Sequence, residues 1–479
     1  MTGPTAHTPL GDVRGTDRDG IAVFRGITYA TARRFGPPEP ITEPTPGGID
    51  ADAWGPQALQ VPGVMEQMLG QSSQPTAEDC LSLNVFTPGT AGARPVLVWV
   101  HGGAFTNGAG SVPWYEGSRL ARRGDVVVVT INYRLGVFGF RGTDNLGIRD
   151  QLAALEWVQR HITAFGGDPR RVTVFGESAG GASVVALMAT ERSRGLFARA
   201  VAMSPSIPQL RSQDRAVEAL GRVLAAAGVG HPDDLVSMST DALLAAQAAV
   251  LADGGDALTV FSPAVDGDLY ASDIADLAAA DPRPLLLGTN RDEMHLWTAF
   301  DPSLTALDDD GALGLFERAL GGLAPEALDA YRRHRPDHRP GQLVSALRTD
   351  AVFRVPARRL AEARQAAGSS THLYWFTFPT PAFGGVLGAC HALDIPFAFD
   401  NLDRKGVGMF TGDSPDRAVL ADRFSGVLVD WAHGHSPGWD PHGGSRAVQV
   451  LDVDAVIGDD VLLDPESDLR ELWDAVRAD

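Results

Sequence analysis

The chain is poor in cysteine and in long apolar runs. Cys80 and Cys390 are the two cysteines among 479 residues, so a disulfide scaffold is excluded and one bridge at most is possible. No apolar run reaches the length of about 18 residues that a membrane-spanning helix needs. The first residues, MTGPTAHTPLGDV, contain no basic segment followed by an apolar one, so no secretory signal is expected. We therefore expect a soluble cytoplasmic protein, with secretion from a longer precursor as the alternative.

Positive charge is also scarce. Forty Lys and Arg residues stand against 60 Asp and Glu residues, which gives a formal net charge of -20. This balance argues against nucleic acid or an anionic membrane surface as the main partner. Apolar residues make up 44% of the chain, which is enough for a sizeable core. We expect a small-molecule substrate, and a monomer or a small homo-oligomer.

Short apolar runs rich in Val and Ile predict the fold class. They are Pro95–Val100, Asp125–Tyr133, Val172–Phe175, Arg199–Met203 and Pro284–Leu287. They lack polar alternation, which is typical of strands buried on both faces of a parallel sheet. A helical pattern over Asp150–Ile162 lies between two of them. The alternation predicts an α/β fold with a central, mostly parallel sheet.

Two segments rich in Ala, Leu and charged residues, 212–252 and 304–367, predict helical excursions from this sheet. The sequence contains no internal repeat and no low-complexity linker. We therefore predict a single domain over residues 1–479.

The segment RVTVFGESAGGA, Arg171 to Ala182, carries the strongest functional signal. A run of β-formers leads into a Gly-Glu-Ser-Ala-Gly turn and then into small residues that can open a helix. On such a sharp turn Ser178 would stand clear of the sheet, and Gly176 and Gly180 would avoid a clash across it. The N–H of Ala179 would face a developing oxyanion. The hypothesis is a nucleophilic serine; the alternative is a serine that merely caps a helix.

A second Gly-x-Ser-x-Gly pentapeptide surrounds Ser436, so the motif alone does not identify which serine is the nucleophile. The residues before it, Phe424–Ala432, look helical rather than extended. Pro437 has no N–H, so the residue after this serine could not serve an oxyanion hole. We predict that Ser436 is a loop serine.

The segment His101 to Phe105 follows a predicted strand and reads HGGAF. A His-Gly-Gly turn in this position lets successive N–H groups point at one anion, as in esterases and lipases. An ordinary glycine turn is the alternative, but it would not explain the position upstream of an independent elbow. This segment strengthens the hypothesis of a serine hydrolase.

A serine nucleophile needs a base and an acid, expected in the order Ser, acid, His. Of the histidines, those in charged stretches, in loops, in the tail or before the serine are set aside as bases. Four candidates remain, His231, His295, His372 and His391. The residues modestly favour His391, which follows small residues and precedes an apolar run; a core histidine is the alternative. The acid is Asp292 or Glu293, at the end of a predicted strand, and the residues alone do not choose. A pair of surface carboxylates is the plainer interpretation of these two.

Together these segments resemble the type-B carboxylesterases, the group that contains bacterial para-nitrobenzyl esterases and acetylcholinesterase. The likeness runs from about Gly11 to Trp473. The matching blocks are FRGITYA (Phe24–Ala30), EDCLSLNVFTP (Glu78–Pro88), VWVHGGAF (Val98–Phe105), NYRLGVFGF (Asn132–Phe140), DQLAALEWV (Asp150–Val158), FGGDPRRVTVFGESAGGAS (Phe165–Ser183), GTNRDE (Gly288–Glu293) and HALDIPFAF (His391–Phe399).

The resemblance implies an α/β-hydrolase fold and a serine esterase that works through an acyl-enzyme. It implies a triad of Ser178, Glu293 and His391, with an oxyanion hole formed by the N–H groups of Gly103, Ala104 and Ala179. It also implies two structural ion pairs, Arg34 with Glu78 and Arg134 with Asp150. The chain departs from relatives that bridge the cysteine equivalent to Cys80, because Gly55-Pro56-Gln57 stands where they have Cys-Pro-Gln.

The expected substrate is a small-molecule ester, and no metal or organic cofactor is expected because no His/Cys cluster has metal-ligand spacing. Phe105, Leu296 and Trp297 are predicted to line the acyl or alcohol side of the pocket, with core packing as the alternative. An acyltransferase or lactonase could use the same triad. A catalytically inactive adhesion relative is a remote alternative, since such proteins have typically lost a triad member.

Overall fold

A large twisted sheet organises the chain in the computed structural model, which describes residues 3–61, 63, 74–253 and 259–476. Its eleven strands, numbered in chain order, are β1 Thr16–Arg18, β2 Ile21–Thr28, β3 Ser82–Thr87, β4 Arg94–Val100, β5 Val127–Ile131, β6 Gly167–Glu177, β7 Arg199–Met203, β8 Leu285–Asn290, β9 Thr371–Phe376, β10 Ala447–Leu451 and β11 Val461–Leu463. The spatial order is β11-β10-β9-β8-β7-β6-β4-β5-β3-β2-β1.

The middle of the sheet is parallel and its margins are antiparallel. Strands β5, β4, β6, β7, β8, β9 and β10 pair in parallel. Strands β1, β2 and β3 join β5 in antiparallel pairs, and β11 joins β10 in the same way. Shorter strands outside this sheet are Thr5–Thr8, Gly11–Arg14, Ala30–Ala32, Pro38–Pro40, Ile49–Asp50, Gln57–Ala58 and Thr76–Ala77. The predicted central, mostly parallel sheet is confirmed.

Both faces of the sheet are buried, as the unbroken apolar strands predict. In β4, Val96, Val98 and Val100 belong to one core cluster, whereas Leu97 and Trp99 belong to the other. Alternate side chains of a strand point to opposite faces, so each face needs its own covering layer. Helices 146–161 and 179–188 cover the first face, and helix 417–433 covers the second.

The α-helices connect the strands and form the outer layers. They are Ser118–Gly124, Gly136–Phe140, Leu146–His161, Ala179–Met188, Gln213–Ala227, Thr240–Ala252, Ile274–Ala279, His295–Thr298, Pro302–Thr305, Asp309–Leu320, Ala324–His334, Pro340–Thr349, Val355–Ala366, Ile395–Ala398, Val407–Thr411, Arg417–His433 and Ser467–Ala475. A π-helical turn, Asp350–Arg354, joins two of them.

The two segments expected to be helical contain helices in the structure. A third apolar cluster lies among the helices between Leu304 and Val355, and the helix 467–475 adds Leu469 and Trp473 to it. The assignment of residues 1–479 to one domain stays a prediction, and its first two and last three residues lie outside the described ones. No helix among the described residues combines the length and apolar character that a bilayer crossing requires.

Both ion pairs that the resemblance implied are present. The guanidinium of Arg34 contacts the carboxylate of Glu78. The guanidinium of Arg134 binds both oxygens of Asp150, at 2.8 and 2.6 Å, in a buried pair. Cys80 and Cys390 are both buried and free.

Candidate active site

Ser178 occupies a strained turn between the end of β6 and the helix Ala179–Met188. Its backbone angles are φ 59° and ψ -120°, a region that residues with a side chain rarely adopt. The Ser178 N–H donates to the Met203 carbonyl at 3.0 Å, and the Ser178 carbonyl accepts from the Ala182 N–H at 2.8 Å. These bonds to β7 and to the helix hold the serine in the strained conformation.

The two glycines of the turn allow strand and helix to approach closely. A Cβ on Gly180 would lie 2.1 Å from the Val100 carbonyl oxygen, and a Cβ on Gly176 would lie 2.6 Å from the Gly180 backbone. Both contacts are with backbone atoms, which cannot move aside as a flexible side chain can. This turn can therefore form only with glycine at both positions.

His391 and Glu293 are paired and buried beside this turn. The Nδ1 of His391 lies 2.6 Å from Oε2 of Glu293, and the His391 N–H donates to the Glu293 carbonyl at 3.2 Å. Oε1 of Glu293 accepts from the Asn290 N–H at 2.7 Å. The residues alone left the acid open between Asp292 and Glu293. In the structure Asp292 instead accepts from the Ala389 N–H at 2.9 Å and from the Arg291 guanidinium.

The other ring nitrogen of His391 faces Glu177. Nε2 lies 3.1 Å from Oε1 of Glu177, and no hydrogen bond joins His391 to the Ser178 hydroxyl within the described part of the chain. Burial raises the pKa of Glu177. Burial alone would lower the pKa of His391, but the carboxylates of Glu177 and Glu293 outweigh it and raise that pKa. The imidazole therefore lies between two acids, one on each ring nitrogen.

The glycine loop after β4 lies directly over the turn that carries Ser178. A Cβ on Gly102 would be 3.2 Å from the Ser178 Cβ. Gly103 and Ala104 have φ angles of 109° and 51°, and their N–H groups donate to no acceptor among the described residues. Ala179 is the first residue of its helix, where N–H groups have no partner within the helix. These three N–H groups are free to bind an anion.

Two aromatic rings pack near the His391 imidazole. The ring of Trp297 lies 5.0 Å from it and that of Phe353 lies 4.8 Å from it, both at 38°. Phe353 was not predicted from the sequence. It lies in the π-helical turn Asp350–Arg354, an irregularity that is frequent at functional sites but has no sequence signature.

The three predicted lining residues have different surroundings. Phe105 is fully buried and packs against Phe140, and Leu296 is partly buried against the second core cluster. Trp297 is 46% exposed. Two further exposed rings, Phe300 and Phe383, contact each other with centroids 5.8 Å apart. That Phe105, Leu296 and Trp297 line the pocket stays a prediction.

The competing residues lie elsewhere. Ser436 is exposed and follows the end of helix Arg417–His433, with no strand before it, as predicted for a loop serine. His231 caps a short 3₁₀ segment at the surface, and His372 lies on β9 near Trp431. Among the described residues, no hydrogen bond, ion pair or ring contact joins either histidine to the turn at Ser178.

One group of side chains has the composition of a metal site. Asp292, His295 and His338 each bring one ligand atom to within 4.8 Å of the others. Burial lowers the pKa of both imidazoles, to about 4 for His338, so both are neutral at neutral pH. The sequence did not suggest this group, because His338 is distant along the chain in a charged stretch.

Comparison with known proteins identifies the family. The model of the carboxylesterase family matches residues 2–438. A para-nitrobenzyl esterase of Bacillus subtilis is 36% identical over 98% of each chain, and a phenmedipham hydrolase of Pseudarthrobacter oxydans is 35% identical over 89% of this chain and 88% of its own. A carboxylesterase of Geobacillus stearothermophilus superposes with a TM-score of 0.86 at 36% identity, over 98% of this chain and 99% of that one. The chain therefore belongs to the carboxylesterase family and is a carboxylic ester hydrolase with the α/β-hydrolase fold.

Proposed function

We propose that the protein hydrolyses small-molecule carboxylic esters through an acyl-enzyme on Ser178, with His391 as the base and Glu293 as the acid that orients it. The observation that carries this proposal is the 2.6 Å contact between His391 Nδ1 and Glu293, beside a serine on a strained strand-to-helix turn. Such a contact fixes the tautomer with a lone pair on Nε2 and stabilises the imidazolium once it forms.

In the first half of the reaction, Nε2 of His391 takes the proton of the Ser178 hydroxyl as its oxygen attacks the ester carbonyl. The Nε2 atom must first exchange its contact with Glu177 for one with the hydroxyl of Ser178, the next residue along the chain. His391 then gives the proton to the leaving alcohol. In the second half, His391 takes a proton from a water molecule whose oxygen attacks the acyl carbonyl. The bond from that carbonyl to the Ser178 oxygen then breaks, His391 returns a proton to the serine, and the carboxylic acid is released.

Negative charge develops on the carbonyl oxygen in both halves. We assign its stabilisation to the N–H groups of Gly103, Ala104 and Ala179, which donate to no acceptor within the described part of the chain. Losing a single donor of this kind typically costs about 3 kcal/mol of barrier. The positive end of the helix that begins at Ala179 acts in the same direction.

The exposed ring of Trp297 beside His391 supports a preference for esters with an aromatic or bulky apolar group. Trp297 packs against the imidazole in a tilted arrangement and is half exposed, so a flat substrate group could stack on it beside the reacting carbonyl. The names of two relatives, para-nitrobenzyl esterase and phenmedipham hydrolase, belong to those proteins; the para-nitrobenzyl group is aromatic, in keeping with this proposal.

The test is active-site labelling with an organophosphonate, followed by peptide mapping of the adduct. We expect one adduct on Ser178, with its loss in Ser178→Ala and a fall in hydrolysis of p-nitrophenyl esters by about 10⁴-fold or more. The matched control is Ser436→Ala, which removes the serine of the second pentapeptide and should leave labelling and hydrolysis unchanged. An adduct on Ser436, or equal labelling after Ser178→Ala, would refute the assignment.

A further inference from the structure

A second cluster of functional side chains lies immediately behind Glu293. Asp292 precedes that residue, and His295 begins the short helix His295–Thr298 that follows it. His338 comes from the connection between the helices Ala324–His334 and Pro340–Thr349. The centroids of the two imidazole rings lie 5.8 Å apart, with the ring planes at 33°, and one ligand atom of each of the three residues lies within 4.8 Å of the others.

The two histidines bring unsatisfied nitrogen atoms to this cluster. Nδ1 of His295 and Nε2 of His338 are buried and have no hydrogen-bond partner among the residues that the structure describes. The whole His295 residue is only 4% exposed. A buried polar atom without a partner lowers the stability of a protein by about 1–3 kcal/mol. A single ligand bound between the two histidines would satisfy both nitrogen atoms.

The hydrogen bonds of Asp292 leave part of its carboxylate available. Oδ2 accepts from the Ala389 N–H at 2.9 Å and from the Arg291 guanidinium at 3.0 Å. No hydrogen bond to Oδ1 is made among the described residues, and an ionised carboxylate has lone pairs for several partners. The cluster therefore offers two imidazole nitrogen atoms and one carboxylate oxygen.

We propose that Asp292, His295 and His338 form a binding site for a divalent transition-metal ion of the zinc type. Imidazole nitrogen with a single carboxylate suits Zn²⁺ and Co²⁺, whereas Ca²⁺ and Mg²⁺ prefer all-oxygen sites. At a metal–ligand distance of about 2.1 Å, tetrahedral ligands lie about 3.4 Å apart, so the three side chains must draw closer than they stand here.

Neighbouring charges limit the affinity. Arg291 is paired with Asp292, so the cluster has no net negative charge to attract a cation. Arg335 lies nearby, with its own charge bound to Glu466 at 3.0 Å. We therefore expect weaker binding than in a closed four-ligand zinc site, and a fourth coordination position open to water.

An ion in this position would cross-link two parts of the chain. Asp292 and His295 flank the proposed catalytic acid, whereas His338 lies between the helices Ala324–His334 and Pro340–Thr349. Binding to the folded state alone raises stability, so added zinc should raise the melting temperature of the chelator-treated protein.

The test is equilibrium dialysis of the full chain, after chelator treatment, against Zn²⁺ alone, with Co²⁺ titration as a second measurement. We expect one metal ion per chain and the intense visible absorption of tetrahedral cobalt. His338→Gln should weaken binding by about tenfold or more and abolish that absorption. His295→Gln should have the same effect from the other ligand.

The matched control is His334→Gln. His334 lies four residues earlier, at the end of the helix Ala324–His334. It is more exposed than His338 and hydrogen-bonds Asp468 at 2.7 Å, so its replacement should leave metal binding unchanged. The proposal is overturned if the unaltered protein retains no metal, if the bound cobalt is octahedral, or if His334→Gln reduces binding as much as His338→Gln does. None of these measurements depends on esterase activity, so they stand apart from the test of Ser178.

Discussion

Glu177 is the single residue whose charge bears most directly on the proposed base. Its carboxylate lies 3.1 Å from Nε2 of His391, on the side from which the serine proton must arrive. The imidazolium gains from two carboxylates, Glu177 and Glu293, and its pKa is raised in consequence. A base with a raised pKa is protonated, and therefore inactive, over more of the acidic range.

We expect Glu177→Gln to shift the acidic limb of the pH profile to lower pH. The substitution removes one negative charge beside His391, so the pKa of the imidazole falls and the neutral, active form persists at lower pH. The measurement is kcat/KM against pH. Glu156→Gln, at an exposed position on the helix Leu146–His161, is the matched control and should leave the profile in place. An acidic limb that stays fixed, or moves to higher pH, would contradict the role given to Glu177.

Among the structural elements, the turn at Ser178 depends most strictly on its glycines. We expect Gly180→Ala to lower the free energy of unfolding by at least about 3 kcal/mol, because the new methyl would lie 2.1 Å from the Val100 carbonyl oxygen and neither strand nor helix can yield without loss of packing. Urea unfolding followed by far-UV circular dichroism measures the change.

The control for this substitution is the same change at an open helical position. Gly221 lies within the helix Gln213–Ala227, and a Cβ there would meet no atom within 4 Å. Gly221→Ala should raise stability by about 0.5–1 kcal/mol through helix propensity. If Gly180→Ala has the same stability as the original protein, the close approach described for Gly180 is wrong.

The elements also show how far the sequence alone could predict this structure. The run Arg199–Met203 was predicted with the bounds that the structure has. A short apolar run without polar alternation is typical of a strand buried on both faces of a parallel sheet. Strand β9, Thr371–Phe376, was not predicted, since its polar first residues and aromatic content lack the Val- and Ile-rich signature. The resemblance singled out Glu293 over Asp292, a choice that the residues alone could not make because the two are neighbours. Contacts between distant segments, such as Phe353 with His391, have no local signal at all.

At the scale of the whole molecule, a buried ion pair connects three separate stretches of chain. The Arg134 guanidinium lies after β5, binds Asp150 on the helix Leu146–His161, and donates to the Gly36 carbonyl at 2.7 Å. The backbone N–H of Arg134 also donates to Asp150, at 3.0 Å. Such a bidentate pair is geometrically specific. Because both charges are buried, the loss of either partner leaves the other as an unpaired buried charge.

We expect Asp150→Asn to destabilise the protein by about 3–5 kcal/mol, because it leaves the buried Arg134 charge without its counter-charge. The exposed pair Arg14–Asp50, with side chains 44% and 72% exposed, provides the control: Asp50→Asn should change stability by no more than about 0.5 kcal/mol, since water screens that pair. Denaturant unfolding of both variants against the original protein measures the difference. Similar losses in the two variants would mean that burial of the Arg134–Asp150 pair contributes nothing to the stability of the fold.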